Sequence, residues 1–156
     1  MIKTTVKITD KDLGYQSLLR RLLPGPELTV GIHNEEGMKK HEKSDLSILA
    51  IGIIHEFGAG VVPERSFIRA WFDQNEEQIK ADIYFAALQV VNGTITRDAA
   101  LQALGDKFVR GIHARMLAGI PPPLTKAVAK RKGHDIALID TAEMFDAITA
   151  KIGVNA

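Results

Sequence analysis

The residues best suited to chemistry lie in one run. It is Ile54-His55-Glu56-Phe57-Gly58-Ala59-Gly60-Val61-Val62-Pro63-Glu64-Arg65-Ser66-Phe67-Ile68-Arg69, with a His-Glu pair, a glycine turn and two arginines. A zinc protease helix needs a second histidine four residues after the first, so that both imidazoles face one metal. That position is Ala59. The other histidines, His33, His41, His113 and His134, stand singly along the chain, so no metal site is expected. Phosphate loops follow a strand and open a helix, and the P-loop continues into Gly-Lys-Ser/Thr. Here Gly58-Ala59-Gly60 follows a helical pattern and no Gly-Lys-Ser/Thr is present, so nucleotide binding is not expected. There is no cysteine and no Gly-x-Ser-x-Gly nucleophile motif. Glu143 and Asp146 share a face of a short helix; such pairs can do acid–base work, but here they read as solvated. The expectation is no catalytic residue, no metal and no cofactor. His55 reads as a structural residue near a helix C-terminus, where partial positive charge is favoured.

Two charged clusters remain. Arg65 and Arg69 are four residues apart beside Glu64, so on a helix they share a face. They suit a surface that meets another chain, because arginine pairs bidentately with carboxylates; an intramolecular ion pair explains them equally well. Lys126, Lys130, Arg131 and Lys132 form a basic cluster. A solvated helix face accounts for it, and so does contact with a partner protein or with DNA phosphate.

The elements that must position these groups belong to one domain of 156 residues, large enough to fold without disulfide or metal. The absence of cysteine fits a reducing compartment. With 20 Lys+Arg against 19 Asp+Glu, the chain lacks the strong basic bias of a dedicated nucleic-acid binder. The longest apolar run, residues 46–54, falls far short of the roughly 20 residues of a spanning helix. The first eight residues alternate and carry no signal-peptide core. A soluble intracellular protein is expected.

Residues 2–8 alternate as a strand, and Asp10 reads as the cap of a helix carrying Leu13, Leu18, Leu19, Leu22 and Leu23. Pro24-Gly25-Pro26 ends it. Residues 27–33 read as a strand with Leu28, Val30 and Ile32 on one face. Residues 34–44 are a charged, mobile loop. Asp45 is expected to cap a helix whose inner face carries Leu46, Leu49, Ile53 and Phe57, with Gly58 at its C-terminus. Helices are expected from Ser66 through Phe72, with Phe67 and Trp71 in the core, and over residues 76–91, with Ile79, Ile83, Ala86, Ala87 and Val90 inward. Thr96 caps a long helix to about Leu117, carrying Leu101, Leu104, Phe108, Ile112 and Met116. An extended proline-rich segment follows near 119–133 and leads into a basic helix over 125–131. Thr141 caps a short helix to about Ile148, and residues 149–154 close the chain as a strand. The class is α+β: a small antiparallel sheet built from N- and C-terminal strands packed against several helices.

Two segments also resemble a known family. "HEFG" followed by "VPERSFIRAWFDQNEEQI" is similar to the "EFG" helix end, glycine turn and "P-x-R-x-F-[L/I]-R" run of phage morphogenesis proteins. "AGIPPPLTKAVAKRKG" and "ALIDTAEMFDAIT" resemble that family's "PPL…T…RKG" loop and "LIDTG" element. The matching residues are Pro122-Pro123-Leu124, Arg131-Lys132-Gly133 and Leu138-Ile139-Asp140-Thr141, in order from about residue 50 to 150. Ala142 stands where the family pattern has glycine. The chain thus resembles the tail-completion or neck proteins of tailed bacteriophages, the group of lambda-like minor tail protein Z.

The resemblance implies a non-enzymatic structural protein of the virion, made in the bacterial cytoplasm. It implies a homo-oligomeric six- or twelvefold ring between the portal or head-connector proteins and the tail terminator or tube. Genomic DNA would pass through the lumen without sequence-specific binding, and no membrane is involved. Glu64, Arg65, Arg69, Lys126, Lys130, Arg131 and Lys132 are the expected interface residues. Competing expectations are a small hydrolase using His33, His55 and Glu56, and a DNA-binding regulator using the 126–132 helix.

Overall fold

The computed structural model describes residues 14–22 and 25–153. The strand expected over 2–8, the Asp10 cap and the Leu13 and Leu23 positions of the helix expected after it, and the end of the closing strand at Val154 lie outside the described residues. The described elements run α1 Tyr15–Leu22, β1 Glu27–Ile32, α2 Asn34–Gly37, α3 Ile48–Phe57, α4 Arg69–Gln74, α5 Glu76–Val91, α6 Arg97–Leu117, α7 Lys126–Lys132, α8 Glu143–Asp146 and β2 Ile148–Gly153. The class is α+β. β1 and β2, from opposite ends of the described chain, pair antiparallel from Glu27 opposite Gly153 to Ile32 opposite Ile148.

One long helix organises this frame. The Thr96 hydroxyl accepts from the Ala99 amide, the N-cap that its residue type and spacing predict. From there α6 runs across both strands. It can lie close because Gly105 meets the sheet; a Cβ there would fall 2.6 Å from that of Ala150. Further along, Phe108, Ile112 and Met116 recur on one face and are buried. Ile112 and Met116 join Ile48, Phe67, Ile120, Leu138, Met144, Ala147 and Ile148 in the main core. Phe67 is fully buried, as expected, while Trp71 is half-buried and packs at the margin against Phe72 and Phe108.

Several expectations change. Residues 34–44 contain the single turn α2, and a bridge pairs Lys40 with Ser47. The cap of α3 is Ser47, whose hydroxyl accepts from the Ala50 amide, not Asp45, which pairs with Lys40. The inner face of α3 is also different. Ile48, Gly52 and Glu56 are buried, whereas Leu46 lies outside the helix and Ile53 and Phe57 are more than half exposed. α3 is apolar nearly all round, so periodicity could not choose its face. On α5, Ala86 and Val90 pack against Ala100 of α6, but Ile83 and Ala87 face outward with Tyr84, Phe85 and Leu88. The last helix shortens to α8. Its N-cap is Ala142 at φ 64°, and the Thr141 hydroxyl bonds the Glu143 carboxylate instead of capping.

Among the described residues, no helix is long and apolar enough to cross a membrane.

Candidate functional site

Glu56 sits on the last turn of α3 and points inward. It is only 7% exposed. Its carboxylate accepts from the Ser66 hydroxyl at 2.6 Å and from three successive amides, Phe67 at 2.9 Å, Ile68 at 3.1 Å and Arg69 at 2.9 Å. Those amides open α4, where the helix has no partners of its own for its first N–H groups. An anion there is favoured by the amide dipoles as well. Ser66 adds a second link, since its hydroxyl accepts from the Ala70 amide. Gly58, at φ 74°, turns the chain back so that this clamp can close; a Cβ there would lie 2.9 Å from the Glu64 amide nitrogen. Phe57 and Glu64 then hold Arg69 from outside, the guanidinium 5.3 Å from the Phe57 ring and paired with Glu64. The run "HEFGAGVVPERSFIR" is therefore a joint between two helices, and its glutamate is fully engaged in it.

Arg65 goes elsewhere. Expected on the surface beside Arg69, it is 5% exposed. Its amide bonds the His55 carbonyl and its Nε donates to the Pro122 carbonyl at 2.9 Å. The remainder of the side chain lines a cleft of about 320 Å³ with His41, His55, Arg131, Lys132 and Asp140, over an apolar wall that includes Ile51, Val128 and Met144. Lys132 is braced there, donating from Nζ to the carbonyls of Ala137 at 2.9 Å and Ile139 at 2.8 Å. Asp140 pairs with Lys43 at 3.6 Å. His41 stands 3.3 Å from the Glu143 carboxylate.

The electrostatics follow from this crowding. His55 is held below its ordinary range by burial first, then by the charges of Arg65 and Lys132. That corrects the expectation of a favoured positive charge at this helix end: desolvation and two cations outweigh the helix dipole. Lys132 is lowered, mainly by burial, with Asp140 opposing. Burial lowers Arg65 as well. The Glu143 carboxyl is held low by the Thr141 hydroxyl, then by the Glu42 amide.

The basic cluster is divided. Lys132 turns into the cleft and Arg131 lines its edge, while Lys126 and Lys130 stay exposed on α7. The hydrolase constellation is not assembled. Glu56 faces α4, His55 faces the cleft, and His33 bonds the Thr29 hydroxyl of β1 and, across the sheet, the Thr149 hydroxyl of β2, at 2.9 Å each. His113 stacks on Phe145, with its Nε2 2.9 Å from the Phe145 carbonyl oxygen. Glu143 is engaged with Thr141 while Asp146 is exposed, so they form no carboxylate pair. Among the described residues, no group of three or more His, Asp or Glu is placed to hold a metal.

Sequence spacing missed the cleft because Arg65, His41 and Lys132 are brought together only by the tertiary fold. The one available signal was that Glu64 is the natural partner of Arg69, which leaves Arg65 without an acid nearby.

Comparison with known protein families, with curated proteins and with solved structures finds no match.

Proposed function

We propose that this chain is a structural subunit of the head–tail joint of a tailed bacteriophage, assembling as a ring that connects the portal to the tail and lets DNA pass. The observation that carries this reading is the meeting in space of the motifs behind the phage resemblance. Glu56 of "HEFG" clamps the "RSFIR" run. Arg65 of that run bonds Pro122 of "PPL". Lys132 of "RKG" bonds Ile139 of "LIDT". Four stretches spread over nearly a hundred residues thus form one connected hub, as motifs do when they jointly specify a fold. Ala142 adds to this. It stands where the family pattern has glycine and adopts φ 64°, a conformation glycine takes at little cost.

Two apolar surfaces on different elements suit assembly. One is the outer face of α5, with Ile83, Tyr84, Phe85 and Leu88 exposed. The other is a groove of about 260 Å³ lined by Leu49, Ile53, Phe57 and Ile68. Unlike patches on one subunit allow head-to-tail contact, the arrangement that closes into rings. Glu64, Arg69, Lys126 and Lys130 remain outward and available at such a contact.

Electron microscopy of particles made with and without this gene tests the reading. Filled heads and separate tails in its absence are expected. Normally joined, infectious particles would overturn it.

A further inference from the structure

The cleft beside the Glu56 clamp holds more positive charge than the described residues balance. Among the described residues, no carboxylate lies within ion-pair distance of Arg65, Arg131 or Lys132. Arg65 is 95% removed from water and its side-chain hydrogen bond goes to a neutral carbonyl, that of Pro122. Lys132 likewise hydrogen-bonds only carbonyls, and the acid that acts on its charge, Asp140, is shared with Lys43. The acid within the cleft, Asp140, is already paired with Lys43, and Glu143 on the rim is held by Thr141, the Glu42 amide and His41. The His55 Nδ1 is buried without a hydrogen-bond partner. A buried cation is stable in a protein when it is paired. Here, among the described residues, no acid pairs with Arg65 or Arg131.

We infer that the cleft is an oxyanion site that binds a phosphate group through Arg65, Arg131, Lys132 and the His55 imidazole. Charge number selects phosphate over carboxylate. Three cations surround the cleft once Lys43 and Asp140 are set against each other, and a dianion with several acceptor oxygens satisfies them better than a monoanion with two. Guanidinium forks match phosphate geometry, and lysine adds a point charge. Burial lowers His55 and Lys132 first, and the neighbouring cations lower both further, as expected where no anion is bound. The phosphate has two possible sources, free inorganic phosphate and the backbone of nucleic acid. The site stands apart from the head–tail reading, because it rests on the charges of the cleft and not on assembly.

The test is NMR of the full chain in a phosphate-free buffer near neutral pH, following the His55 ring and the arginine Nε–H signals. Inorganic phosphate is titrated in one arm and a short DNA duplex in the other. The expected result is saturable movement of the His55 and Arg65 signals with phosphate and a rise of the His55 pKa. Arg131→Gln, an exposed and structurally harmless change, should weaken binding about tenfold, and Lys132→Gln should weaken it further. Movement with duplex but not with free phosphate keeps the oxyanion chemistry and assigns it to the nucleic-acid backbone. Two results overturn the inference: no movement of His55 or Arg65 with either probe, or binding that Arg131→Gln leaves unchanged.

Discussion

Two buried charges lie nine residues apart and meet opposite fates. Glu56 is 7% exposed and receives four hydrogen bonds. Arg65 is 5% exposed and has one, to a neutral carbonyl. The first is a closed structural unit, since every donor it needs comes from the helix start it caps. The second is open. Charge inside a fold is not by itself a sign of function; the informative feature is whether the fold supplies it with enough partners. The His-Glu pair that first suggested chemistry divides along that line, with Glu56 in the closed unit and His55 beside the open one.

The strongest way to break this contrast is Glu56→Gln. It leaves the shape but removes the charge and points an amide donor at N–H groups. A loss of about 2–3 kcal/mol is expected in urea unfolding, as when charge-assisted hydrogen bonds to buried donors are lost. A loss under about 1 kcal/mol would mean that the clamp is not what holds α4 to α3.

Of intermediate size is the effect of pH. The His55 pKa is lowered in the fold, so the unfolded chain binds more protons below 6.5, its ordinary value. Stability is therefore full above that value and falls as the pH drops through it toward the lowered folded value. The slope is at most ~1.4 kcal/mol per pH unit from one group. His33, lowered by burial and by Lys151, acts in the same direction. Urea midpoints at mildly acidic and neutral pH should separate in the wild type and move closer in His55→Asn. Equal separation in both would show that burial and the cleft cations do not lower His55.

Smaller still is Ala142→Gly. A left-handed alanine at φ 64° is strained by roughly 1 kcal/mol. Relief should raise the melting temperature by about 3 °C for a chain of this size. A fall would mean that the turn is held by its alanine methyl group. Least affected should be Arg69→Ala. Its pairing with Glu64 is half exposed, and such pairs contribute about 0–1 kcal/mol. A large loss there would move Arg69 from the surface into the clamp.

Local chemistry made much of the fold legible. Thr96 and Thr125 cap α6 and α7 as their types and spacing require, and α5 occupies the residues read for it. The two paired strands were visible from alternation at both ends of the described chain. What escaped was orientation. The residues Ile48, Leu49, Ile51, Ile53 and Ile54 make α3 apolar on most sides, and its inner face is decided by Glu56, a charge whose partners lie ten to thirteen residues away. The α5 face failed similarly, because Ile83, Tyr84, Phe85 and Leu88 offered no polar side to mark solvent. The cleft was least legible, since His41, Lys132 and Thr141, separated from Arg65 by 24 to 76 positions in sequence, converge on it only in three dimensions.

The contrast between the closed and the open charge is tested most directly by unfolding the wild type, Glu56→Gln and Arg65→Met with and without saturating phosphate. An anion that binds only the folded chain raises its stability by mass action. The account predicts that phosphate raises the midpoints of the wild type and Glu56→Gln and leaves Arg65→Met unmoved. It also predicts that, without phosphate, Arg65→Met is far less damaging than Glu56→Gln, because an unpaired buried charge adds little to stability. Equal losses for the two variants, together with no response of the wild type to phosphate, would contradict it.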